Sequence, residues 1–152
     1  MIRKQFIANI VGSIILFLFI IGVDANAQCL SFAKKVGKPK LGNFVHDGNY
    51  NATTLGAGET AELYKTFFKG QKYRIAVSKI DNLPEIHFRV VNEDNKTLFD
   101  NKDHDYTDVW DFSVETTQTL VVKIKVLDDY NTNELNSTNG CVCVLFGIEK
   151  NK

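Results

Sequence analysis

Five aspartates and one histidine share the stretch DNKDHDYTDVWDF, residues 100–112, with a tryptophan and a phenylalanine near its end. Calcium takes about six to eight oxygen ligands, and carboxylates at alternating positions of a loop supply several of them. Asp103, Asp105 and Asp108 carry that reading, with Asp100 as a fourth ligand. The stretch lacks the glycine and the distal glutamate of an EF-hand. Aspartate and asparagine also start turns by bonding their own backbone, and Asp111 falls between two aromatics that face inward. The first expectation is a turn feeding a strand, with a calcium site as the second; no other cofactor is expected.

A second polar run, DDYNTNELNSTNG, offers Asp129, Asn131 and Asn133, but Glu134 stands where an EF-hand needs glycine and Gly140 where it needs glutamate. It reads as a loop. His46, His87 and His104 lie on separate segments, and neither a nucleophile elbow nor a cysteine-protease signature accompanies them. No catalytic residue is therefore expected. Tyr50, Tyr64, Tyr106 and Tyr130 lie in or near predicted loops, where rings serve as binding platforms. Asn51, Asn95 and Asn136 each open an N-glycosylation acceptor pattern, in predicted loops or turns.

The chain opens with Arg3 and Lys4, continues through the apolar run IVGSIILFLFIIGV and reaches Ala25-Asn26-Ala27. This is the order of a secretory signal peptide, with a run too short for the roughly 20 residues of a membrane-spanning helix. Residues 1–27 are expected to be removed, leaving a mature chain from Gln28 that is secreted, periplasmic or on the cell surface, with no stable membrane span. Gln28 stands where a lipoprotein signal has a small residue before its cysteine, so cleavage without lipidation is the leading expectation.

Export places Cys29, Cys141 and Cys143 where disulfides persist. In a strand Cys141 and Cys143 share a face, and bridging them to each other strains the geometry, so Cys29 is expected to pair with Cys141 or Cys143. The 18 basic and 18 acidic residues balance. No cluster of lysine and arginine exists to displace counterions, which argues against nucleic acid as a partner.

From residue 62 onward apolar residues recur at every second position in short runs separated by turn formers, the mark of an antiparallel sheet with one buried face. In TLVVKIKVL, Leu120, Val122, Ile124 and Val126 point inward and Lys123 and Lys125 outward. Trp110, Phe112 and Val114 share one side, as do Ile86, Phe88 and Val90. AELYKTFF and QKYRIAVSKI read as a hairpin about Lys69-Gly70, and Asp47-Gly48 as the turn of a first hairpin. CVCVLFGIE is apolar on both faces, as a central or covered strand is. No helical stripe is visible after Val23, and residues 28–40 are the least predictable. Seven to nine such strands predict an all-β fold, an antiparallel two-sheet sandwich of jelly-roll type in a single domain, residues 28–152.

The run FFKGQKYRIAV…PEIHFRVVNEDNKTLFD…WDFSVETTQTLVVKIKV, within residues 62–126, resembles bacterial pre-peptidase C-terminal domains and GOLD-type sandwiches. Pro84-Glu85 and Thr117-Gln118-Thr119 depart from the pre-peptidase pattern. The resemblance implies an exported β-sandwich with an accessory binding role and brings no catalytic residues. The expectation is a non-catalytic module that binds a protein, glycan or cell-envelope partner. A calcium-dependent module and a small secreted hydrolase are the alternatives.

Overall fold

The computed structural model describes residues 25–128 and 139–150. A helical segment leads, with α1 at Ala25–Phe32, a π-helical turn at Ala33–Gly37 and a 3-10 turn at Lys38–Leu41. Nine strands follow among the described residues: β1 Val45–His46, β2 Asn51–Leu55, β3 Thr60–Phe67, β4 Lys72–Lys79, β5 Ile86–Val91, β6 Thr97–Asp100, β7 Val109–Ser113, β8 Gln118–Val126 and β9 Gly140–Ile148. A 3-10 turn, Asn101–His104, sits between β6 and β7.

The strands form two antiparallel sheets packed face to face, as the sequence predicts. The first runs β1-β9-β4-β7, with β2 pairing β9 beside β1; the second runs β3-β8-β5-β6. Alternation decides what lies between them. Tyr73, Ile75 and Val77 of β4 and Val142, Val144 and Phe146 of β9 meet Leu120, Val122, Ile124 and Val126 of β8 and Phe88 and Val90 of β5 in one core. Burying such side chains contributes about 1.5 to 3 kcal/mol each.

Two expected hairpins are not hairpins. β3 pairs β8 while β4 pairs β7 and β9, so the chain at Lys69-Gly70 turns a corner from one sheet to the other. Gly70 takes φ +79°, a left-handed value suited to glycine, and its amide donates to the Val114 carbonyl at 2.7 Å. Likewise β1 and β2, on either side of Asp47-Gly48, both pair β9 rather than each other. A turn signal marks a reversal of direction; it does not say which sheet receives the next strand.

The helical segment is the element that sequence periodicity does not reveal. It packs on the outer face of the first sheet, where Ala33, Leu41 and Phe44 bury against Ala76, Cys143 and Leu145. The approach is close because small residues line it. A Cβ on Gly37 would lie 2.6 Å from the Cys143 Sγ, and one on Gly147 would lie 2.6 Å from the Phe44 Cβ. The buried positions Cys29, Ala33, Gly37 and Leu41 recur every fourth residue, but three of the four are small, so the segment shows no wide apolar stripe. This cover also explains why β9 is apolar on both faces.

Candidate functional site

The aspartate-rich stretch is a crossing between the sheets. It leaves the second sheet at the end of β6, makes the 3-10 turn and enters the first sheet at β7. Asn101 fixes it from inside: at 1% exposure its side chain accepts from the Phe88 amide at 2.9 Å and donates to the carbonyls of Ile86 at 2.9 Å and Thr107 at 3.1 Å. Asp105 and Tyr106 take left-handed φ values of 51° and 53°, an uncommon pair for residues with side chains. At the rim of the core, the rings of His104, Phe99, Trp110 and Phe112 stack in a column with centroid spacings of 5.1, 4.9 and 4.2 Å. The column joins β6 to β7 and closes that side of the sandwich.

The four candidate calcium ligands do not converge. Asp100 accepts from the Lys102 amide at 3.0 Å and lies 2.7 Å from the Nε2 of His87. Burial pushes its carboxyl up, but His87 and the Lys102 amide outweigh that and hold it below the usual aspartate range. Asp108 pairs with Lys40 of the helical segment. Asp103 and Asp105 are exposed. Among the described residues no three His, Cys, Asp or Glu side chains group as a metal site.

The histidines have separate local partners. The Nδ1 of His46 accepts from the Gly48 amide at 3.2 Å and its ring packs 4.3 Å from that of Tyr50. His87 pairs with Asp100, and His104 caps the ring column. Ser78 is buried beside Cys143 on the covered sheet.

The structure joins Cys29 to Cys141, with Cα atoms 5.1 Å apart, and leaves Cys143 as a buried thiol. Burial pushes that thiol up to about 11, which removes the thiolate needed for exchange or alkylation. Sequence reasoning does not single out Arg74. It forks onto Asp111 with two bonds of 2.7 Å, reaches the carbonyls of Lys40 and Leu41 at 3.4 Å and lies 4.5 Å from the Phe44 ring centroid. The bond to Asp111 raises its already high pKa. One guanidinium thus ties β4, β7 and the helical segment together. A signal for it exists: Arg74 and Asp111 both occupy outward positions on their strands.

The two sheets differ in what covers them. The outer face of β3-β8-β5-β6 has no helical layer among the described residues. Tyr64 is 66% exposed there, opposite Val121, which in turn lies opposite Val91. Phe68, just past β3, is 61% exposed and Leu98 of β6 is 41% exposed. Alongside runs a charged row in which Glu62 pairs with Lys123 at 3.1 Å and Arg89 faces both Lys123 and Asp100 across the strands. Thr66 and Thr119 bond through their hydroxyls at 3.2 Å.

β3 is an edge strand of that sheet, and Lys65 protects it. Its position points inward, between Leu63 and Phe67, and its ammonium meets Asp47 at 2.6 Å and lies 4.7 Å from the Phe146 ring centroid. An inward charge on an edge strand resists pairing with another chain's edge. The β3 edge is thus closed to strand pairing, while Tyr64 on the outer face beside it is exposed, next to the buried Val121 and Val91.

Of the tyrosines singled out in the sequence, Tyr64 lies on this face. Tyr50 packs between His46 and Lys34, and Tyr106 lines a polar cleft of about 270 Å³ with Lys40, Asp81, Glu85 and Asp108. Tyr130 and Asn136 lie outside the described residues, as do Asp129, Asn131 and Asn133. Asn95 turns the β5–β6 hairpin at φ 58°, whereas Asn51 begins β2 rather than lying in a loop.

No helix among the described residues is long and apolar enough to cross a membrane. No family model matches the chain, and no curated protein matches it. Among solved structures the chain is similar to PliG of Aeromonas hydrophila, a periplasmic lysozyme inhibitor of g-type lysozyme. The two are 8% identical, the match covers 66% of this chain and 84% of that one, and the TM-score is 0.48.

Proposed function

We propose that this chain is an exported, non-catalytic binding module that engages a protein partner through the outer face of the β3-β8-β5-β6 sheet. The unequal cover of the two sheets carries the reading. One outer face is occupied by the chain's own helical segment, while the other leaves Tyr64, Phe68 and Leu98 exposed beside a charged row. Exposed aromatics flanked by polar and charged groups are the composition of a protein-binding patch, and tyrosine and arginine are enriched among the residues that dominate binding energy.

Export rests on the leader in residues 1–27 and is supported by the Cys29–Cys141 bond, since disulfides persist in oxidising compartments. Cys29 is 1% exposed and its sulfur is bonded, so it has no free thiol to carry a lipid. The resemblance of residues 62–126 to pre-peptidase C-terminal and GOLD-type domains supports the same accessory role.

Immobilised mature protein, exposed to secreted and envelope proteins of the producing cell, tests the reading. A partner held by the wild-type chain should be lost from a Tyr64→Ala/Phe68→Ala variant, with affinity down at least tenfold. It should be kept by Val36→Ala, a change at an exposed position in the helical segment. Loss with Val36→Ala and retention with the double variant would move the site to the other side of the molecule.

A further inference from the structure

The expected cleavage point falls inside α1, and the first buried residue lies two positions past it. Ala27 and Gln28 are exposed, and Cys29, next in the chain, is 1% exposed and covalently held to Cys141 of β9. A peptidase that cuts after Ala27 leaves a single free residue outside the first fixed point of the molecule. That residue is a glutamine.

Resting on the export reading above, we infer that Gln28 of the exported chain closes to a pyroglutamyl lactam. The new α-amine attacks the side-chain carboxamide carbon, a C–N bond forms in a five-membered ring, the bond from that carbon to its amide nitrogen breaks, and ammonia leaves with a proton from the attacking amine. Nothing is oxidised or reduced, and no co-reactant is consumed.

Three features favour the closure. Once the chain is cut after Ala27, Gln28 is the first residue left of α1, and the amine of a helix's first residue has no intrahelical acceptor to hold it away from the side chain. An α-amine titrates near pH 8, which leaves a nucleophilic fraction at neutral pH. A positive charge at a helix N-terminus opposes the helix dipole, and the lactam removes that charge. The disulfide one residue later keeps Cys29 in place, so the modified residue remains at the surface rather than in a long tail. The product is an uncharged terminus that ordinary aminopeptidases do not open.

Protein exported by cells carrying the full chain, purified without reduction, gives the test by intact mass and N-terminal sequencing. The inference expects the mass of residues 28–152 with the disulfide in place and one ammonia lost. It also expects a terminus closed to sequencing until pyroglutamyl aminopeptidase treatment, and an open one in a Gln28→Ala variant. A mass beginning at Gln28 with no ammonia lost, and a terminus that reads Gln directly, would overturn the closure and leave the cleavage standing. A mass beginning at any other residue would overturn the cleavage and the closure together.

Discussion

Asn101 binds the crossing between the sheets with three hydrogen bonds at 1% exposure. Asn101→Ala leaves a buried amide and two carbonyls without partners, each a costly desolvation, and should destabilise the domain by about 2 to 4 kcal/mol in urea denaturation. Asp103→Ala, two residues on and exposed, should stay within about 0.5 kcal/mol. Asp100 makes a prediction in pH. Its folded pKa is lowered, so its contribution is present above the ordinary aspartate value of about 4 and is lost as pH falls through the folded one. The stability gap between the wild-type chain and Asp100→Asn should hold above about pH 4 and narrow as pH falls below it, and a constant gap would contradict the His87–Asp100 pairing. The sequence draws attention to the right stretch here, but through its aspartates rather than its asparagine. Carboxylates advertise chemistry by type alone, whereas the role of Asn101 exists only once β5 and the approach to β7 supply its partners.

β8 is legible in the sequence because one of its faces is core and the other carries charge. Ile124 is 3% exposed and Lys123 pairs with Glu62 at the surface. Ile124→Ala should cost about 2 to 5 kcal/mol and Lys123→Ala little, and equal costs would contradict the facing of the strand. The helical segment is not legible for a matching reason. Its contact with the first sheet runs through Cys29, Ala33, Gly37 and Leu41, a stripe one residue wide in which only Leu41 is a large apolar side chain, and Arg74 supplies a further anchor from the strand side. The strand partners of β1 to β4 are also out of reach. Alternation tells a strand's buried face but not its neighbour, and a turn fits a corner between sheets as well as a hairpin.

At the scale of the molecule, the Cys29–Cys141 bond spans 112 residues of sequence. In the chain-entropy account, closing so long a loop stabilises the folded state by about 4 to 5 kcal/mol, a large share of a domain's total. A Cys29→Ser/Cys141→Ser variant should lose that amount in denaturant, while Cys143 should stay closed to alkylation in the native wild-type chain. Rapid alkylation of Cys143 before unfolding would show that the helical segment does not cover the sheet as described.

Among the described residues that cover lies on one sheet and not on the other, and the proposed function depends on the difference. Site-specific photo-crosslinking in the producing cell tests it most directly, with the photoreactive residue placed at Tyr64, at Leu98, or at Val36 on the helical segment. Protein adducts from positions 64 and 98, and none from 36, are the predicted result. Adducts from position 36 with none from 64 or 98 would contradict it.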